Sequence, residues 1–181
     1  EYAIMAKSDE QYLVSSDDGY GFVCGFEDMV TRQKAGKALV KLPMGAKLAE
    51  PKIITNVDTD HCLAISNEGR MLVFPLKDLP VLGKGKGNKI INIPSARAAS
   101  REEYVRQVVV VPEGSSVVLL AGKRKLTLSP KDLDHYRGER GRRGSKLPRG
   151  LQRVDAIEVE QSKQAAQIEE TNIETQEPTS N

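Results

Sequence analysis

Few residues in this sequence have the type and spacing for covalent or metal chemistry. His61 stands beside Cys62, the raw material of a thiol dyad. The residues around them alternate as a strand does, so the two side chains point to opposite faces and are poorly placed for proton transfer. Cys24 is the other cysteine, and no CxxC pair or Cys/His cluster exists. That pattern reads as two reduced, buried thiols rather than a disulfide or a metal site. Asp58-Thr59-Asp60 offers two carboxylates close together. It falls on Ser8-Asp9-Glu10 fifty residues earlier, also ahead of a strand. A polar turn shared by two repeats explains both, and no metal is expected.

The stretch YRGERGRRGSKLPRG (136–150) is the remaining candidate, with four glycines, six arginines or lysines and one acid, Glu139. As a nucleotide loop it fails: there is no GxxxxGK[ST], and Gly138, Gly141 and Gly144 miss the GxGxxG spacing. No helix pattern follows to offer its N-terminus to a phosphate. What fits is contact with a phosphate backbone, where glycines allow close approach and cations neutralise charge. The same connection occurs at 82–94 (LGKGKGNKIINIP) and at 31–43 (TRQKAGKALVKLP). In the first of these, Gly83, Gly85, Gly87 and Lys89 align with Gly138, Gly141, Gly144 and Lys146. The candidate DNA contacts are therefore Lys34 and Lys37; Lys84, Lys86 and Lys89; Lys123, Arg124 and Lys125; and Arg140, Arg142, Arg143, Lys146 and Arg149. Such contacts read backbone rather than sequence. With aromatics at 4% there is little to stack single-stranded bases, so duplex DNA is the expected ligand.

The elements that carry these loops form a repeat. QYLVSSDDGYGFVCGFEDMV (11–30) aligns with HCLAISNEGRMLVFPLKDLP (61–80) at an offset of 50. A third copy starts at SSVVLLAGKRKLTLSPKDL (115–133), with Gly122 in the place of Gly69. Each unit reads as four short strands; in the second they are 51–57, 62–67, 71–76 and 89–94, with a weak helical period only around 96–104. Four strands per ~50 residues is the pattern of propeller blades. The expected fold is all-β: four-stranded blades in an open, propeller-like pinwheel, about three in this chain. The expected units are 1–50, 51–104 and 105–154, within one domain over 1–154.

The 181 residues carry 27 basic and 25 acidic side chains. Residues 155–181 hold seven acids and Lys163, net −6, which leaves 26 bases and 18 acids, net +8, on 1–154. The acidic stretch cannot bury enough apolar surface to offset its ordering entropy, so 155–181 is expected to be a disordered tail. No apolar run approaches ~18 residues, so no membrane helix is expected. The opening Glu-Tyr-Ala-Ile reads as the start of a fragment of a longer protein.

SSDDGYGFVCGFEDM, EGRMLVFPLKDLP, GKGKGNKIINIPSA and GERGRRG…RGLQRVD resemble the C-terminal domain of A subunits of bacterial DNA topoisomerase IV, a family related to gyrase A. The resemblance covers roughly 1–155. It implies a pinwheel whose blades exchange strands and whose outer edge binds DNA. It implies a parent enzyme that passes one duplex through another with ATP and Mg²⁺ supplied through a B subunit, pairs as an A-subunit dimer, and works on cytoplasmic, nucleoid DNA. The family's active-site tyrosine lies in a region this chain lacks. None of Tyr2, Tyr12, Tyr20, Tyr104 or Tyr136 inherits that role, so no strand cleavage and no cofactor are expected here. Gyrase A proteins carry a box similar to QRRGGKG for wrapping DNA; this chain has no such string, which favours a topoisomerase IV role in positioning the transported duplex. The family also suggests a protein-interaction platform for a bacterial condensin, with Arg124 and Arg149 as contacts.

Overall fold

The computed structural model describes residues 7, 9–33 and 35–161. Lys34 and most of the acidic stretch, 162–181, lie outside the described residues. The strands are β1 (Gln11–Ser16), β2 (Tyr20–Gly25), β3 (Lys52–Ile54), β4 (His61–Ser66), β5 (Arg70–Pro75), β6 (Asn88–Lys89), β7 (Val105–Val111), β8 (Ser116–Ala121), β9 (Arg124–Leu128), β10 (Ser145–Lys146) and β11 (Ala156–Glu160). Among the described residues, three single-turn α-helices accompany them, α1 (Phe26–Met29), α2 (Ser95–Ala99) and α3 (Pro130–Leu133), with 3-10 turns at Leu76–Asp78 and Asp134–Tyr136. The fold is all-β and blade-like, as expected.

The blades are not the linear units read from the sequence. Sheet one has the order β3-β1-β2-β6, sheet two β10-β5-β4-β7 and sheet three β11-β8-β9. Only the central hairpin of each sheet comes from its own repeat. Unit two gives β3 and β6 to sheet one, and unit three gives β7 and β10 to sheet two. The boundaries 1–50, 51–104 and 105–154 therefore cut through every sheet. The reason is topological: a hairpin fills the middle of a blade, and the connection that follows reaches back to both of its edges. The stretch 89–94 is not a strand of its own blade either; only Asn88–Lys89 pairs, with Gly21 and Tyr20.

The tail boundary also moves. Ala156–Glu160 pairs with β8 across five positions, Ala156 on Leu120 through Glu160 on Ser116. Ile157 and Val159 pack against the second core cluster, which is what draws this segment of the acidic stretch onto the sheet. The third hairpin differs as well. The first two turn through Asp17-Asp18-Gly19 and Asn67-Glu68-Gly69, whereas Ala121 pairs directly with Arg124 across Gly122-Lys123. Gly122 is thus the first residue of a two-residue turn, not the last of a three-residue one.

The hairpin strands of sheets one and two are buried on both faces, so they read as nearly continuous apolar runs. On β4, Cys62 and Ala64 face the cluster shared with Leu13, Val23 and Phe74, while Leu63 and Ile65 face the cluster with Val117, Leu119 and Tyr136. On β1, Leu13 faces sheet two while Tyr12 and Val14 face a third cluster with Phe22 and Cys24. Neighbouring sheets thus share cores, and a blade alone would leave one apolar face wet. Both cysteines are buried and free, and burial pushes the Cys62 thiol well above its usual range. Asp60 closes the turn before β4: its carboxylate accepts the N–H groups of Thr55 and Asn56, both at 2.9 Å. Glu10 holds the corresponding position before β1 and accepts the Lys7 N–H at 3.1 Å.

Gly87 and Gly144 fix the borrowed strands. Each precedes its two-residue strand with φ of +79° and +72°, and a Cβ there would collide with the carbonyls of Gly21 and Met71 respectively. A side chain would meet both left-handed strain and a backbone wall. Gly144→Ala and Gly87→Ala should each cost more than about 2 kcal/mol. Gly25→Ala, at φ −71° with nothing within 4 Å, should be nearly neutral. Thermal denaturation of the three variants checks this ranking.

Candidate nucleic-acid interface

The Gly-rich basic connections are laid down as the last strands of sheets one and two, and successive copies are stitched together. Gly85 donates its N–H to Leu39 and accepts from Lys41, both at 2.9 Å. One repeat later, Gly141 donates to Ile90 and Arg142 accepts from Asn92, again at 2.9 Å. The alignment of Gly85 and Gly87 with Gly141 and Gly144 therefore holds in space. That of Gly83 with Gly138 slips by one: Leu82 and Gly138 are the residues that donate to Val23 and Val73, at 2.9 and 3.1 Å. The chain segments 39–41, 82–92 and 137–146 thereby lie side by side, and their cations share one continuous edge.

The candidate side chains have different tasks along that edge. Lys84, Lys123, Lys125 and Arg149 are exposed and make no described hydrogen bond or ion pair. Lys89 and Lys146 are exposed, their ammonium groups resting on Asn92 Oδ1 at 3.3 Å and the Glu68 carbonyl at 3.2 Å. Lys37 is exposed and donates to the Asp28 carbonyl at 2.7 Å. Arg142 is exposed and pairs with Glu139 at 2.8 Å. Lys86 is half-buried, 3.9 Å from the Tyr20 ring centroid and 3.7 Å from Asp18. Arg140 is half-buried and donates to the Lys89 carbonyl at 2.7 Å, strapping one loop to the next.

Arg143 serves the fold. It donates to the Asn92 carbonyl at 2.8 Å and pairs with Glu103 at 2.7 Å. Glu103 is fully buried, and Arg97 of α2 approaches its second oxygen at 3.0 Å. Arg97 also pairs with Glu68, and its guanidinium holds the Glu68 carboxyl below the usual range. Arg101 binds Asp17 at 2.8 Å and lies over the Tyr104 ring at 4.8 Å. Sequence reasoning missed this cluster because its members are 6 to 84 positions apart and meet only once blades pack.

A second set of positions crowns the same edge. Pro43-Met44-Gly45-Ala46 and Pro148-Arg149-Gly150-Leu151 are matching turns, closed by Ala46→Pro43 and Leu151→Pro148 bonds of 3.1 and 3.0 Å, with φ +82° and +86° at the glycines. Their apices are Met44, fully exposed, and Arg149. In unit two, α2 stands after the equivalent Pro94. The Arg124 guanidinium lies against the Gly150 backbone, next in sequence to Arg149.

A strand-exchanging, blade-built domain with a basic edge defines the class. Residues 60–111 match the family described as DNA gyrase C-terminal domain, beta-propeller. The chain is 52% identical over 160 residues to the A subunit of DNA topoisomerase 4 from Pseudomonas aeruginosa, covering 88% of the chain and 21% of that protein. It is 49% identical to the Escherichia coli (strain K12) counterpart over 166 residues, 92% of the chain and 22% of that protein. The solved E. coli ParC C-terminal domain superposes with a TM-score of 0.84 at 49% identity, over 90% of this chain and 65% of that one. A further solved C-terminal domain of DNA topoisomerase IV, 16% identical with a TM-score of 0.69, shares the fold. The chain belongs to the gyrase A/topoisomerase IV A C-terminal domain family, and it spans about a fifth of the length of the curated relatives it matches.

The charge cluster yields two expectations. Removing both Arg97 and Arg143 by alanine leaves a fully buried carboxylate unpaired, at a cost of about 3–5 kcal/mol in urea unfolding. Glu68 is a depressed carboxylate, so its contribution is present above the unfolded pKa and lost as pH falls through the lower folded value. Arg97→Gln should therefore raise the midpoint pH of acid unfolding.

Proposed function

We propose that this chain is a sequence-nonspecific duplex-DNA-binding module of a topoisomerase IV A subunit. It holds the transported duplex for decatenation and relaxation and cuts no strand itself. The observation that supports this most is the stitched edge: repeated loops whose backbones are fixed to the sheets while Lys84, Lys89, Arg142 and Lys146 stay exposed. Fixed backbone with exposed cations suits contact with a phosphate lattice of regular pitch. In the whole protein, an A-subunit dimer would join B subunits that bring ATP and Mg²⁺, acting on cytoplasmic DNA. A second reading, docking of a bacterial condensin, draws on exposed Arg124 and Arg149 of the third unit, with the Arg124 guanidinium against Gly150.

Charge reversal separates the cations by task. Lys84→Glu, Arg142→Glu and Lys146→Glu should each weaken duplex binding and flatten the log–log salt dependence by about 0.9 or more. Arg143→Gln should lower stability first. Salt titrations by fluorescence anisotropy give the slopes, and binding as tight at high salt as at low salt would sink the proposal. Relaxing a plasmid with this domain bound should leave the linking number nearly unchanged after deproteinisation. A large stoichiometric shift would mean gyrase-type wrapping instead.

A further inference from the structure

Among the described residues, sheet three has one strand fewer than the other two, and the position left open is a defined one. Beside β2 lies 80–89: Val23 donates its N–H to the Pro80 carbonyl and accepts from Leu82, both at 2.9 Å. Beside β5 lies 137–146, where Val73 accepts from Gly138 at 3.1 Å. Within the hairpins, Leu13 faces Val23, Leu63 faces Val73 and Val118 faces Thr127. Thr127 thus stands where Val23 and Val73 stand, its N–H and C=O aimed away from β8. Among the described residues, nothing pairs with them. An open groove of about 640 Å³ runs alongside, lined by Leu126, Thr127, Leu128, Lys131, His135 and Tyr136, with Asp132 also at its wall.

The charge at the mouth of this slot is reversed. Where the slot is filled, the hairpin tip carries an acid that faces a lysine of the incoming segment. Asp18 lies 3.7 Å from Lys86; Lys146 donates to the Glu68 backbone carbonyl at 3.2 Å, and its charge favours the ionised Glu68 carboxyl. The third tip is Gly122-Lys123, followed by exposed Arg124 and Lys125; the one acid at this tip, Asp155, is engaged by the Gly122 N–H at 2.8 Å and by Arg106 at 3.0 Å. Lys131 lines the groove, and the Asp132 carboxylate is engaged by Ser129 N–H and Oγ at 2.9 and 2.8 Å. We infer that the free edge of β9 is a docking site for an acidic, extended segment of a partner protein, which adds as a fourth antiparallel strand. The ladder at Thr127 and the apolar floor of Leu126, Leu128 and Tyr136 match a peptide; a duplex offers neither strand hydrogen bonds nor apolar side chains. This inference goes beyond DNA binding and does not rest on it.

The test uses the 181-residue chain and a ten-residue peptide of alternating Glu and Val, with a Lys/Val peptide and a DNA duplex as comparators. Amide exchange at Thr127, followed by NMR, should slow at least tenfold with the Glu/Val peptide and not with either comparator. Thr127→Pro deletes the outward N–H while sparing the β8 ladder. It should weaken peptide binding at least tenfold and leave duplex affinity unchanged. The double variant Arg124→Glu/Lys125→Glu, on exposed positions, should switch preference to the Lys/Val peptide, and this arm decides should Thr127→Pro fail to fold. Absent protection, undiminished binding by Thr127→Pro, or unchanged preference in the double variant each overturns the inference. So does protection produced by the duplex, or by raising the chain's own concentration, which would make DNA or a second copy the occupant.

Discussion

The close passage of one repeat's backbone over another's, Gly87 beside Gly21 and Gly144 beside Met71, is the constraint from which the rest follows. It places a two-residue strand on the open side of the first and second hairpins and thereby completes two four-stranded sheets. The same segment also carries the cations. One stretch of chain is therefore edge strand on its inner side and charged surface on its outer side. Its backbone is spent on the fold, leaving only side chains to meet a ligand.

Packing and electrostatics divide the work between interior and edge. Apolar clusters bridge sheets one and two and sheets two and three, so the hydrophobic effect stacks blades without specifying their rotation. The Glu103–Arg97–Arg143 cluster adds direction. A fully buried carboxylate tolerates only arrangements that bring a guanidinium to each oxygen, and one comes from α2 while the other comes from the following repeat's loop. Arg101 on Asp17 ties the same connection to the first hairpin.

The sequence made the hairpins, their turns and the repeating basic loops legible because those depend on local spacing. Leu13, Leu63 and the Gly-Lys and Gly-Asn-Lys runs recur at nearly fixed offsets. Strand ownership was not legible from alternation, which cannot say whether 52–54 pairs with 11–13 or with its own neighbours. The third repeat's final strand was hidden for a different reason. Its Glu158 and Glu160 alternate with Ile157 and Val159, and an acid-rich composition masked the pattern. Arg143 looked like its neighbours Arg140 and Arg142, since nothing local distinguishes a guanidinium bound for a buried partner 40 positions away.

The two Pro-X-Gly turns show how this architecture can diversify. Proline and glycine alone set the bend at 43–46 and 148–151, so the residue between them answers to no packing demand. One blade presents a thioether there and another a guanidinium, and the middle blade has let a whole helical turn grow from the same root. Each repeat thus offers a mounting point whose chemistry can change without disturbing its neighbours. A row of near-identical blades can in this way acquire an individual face at every step along its rim.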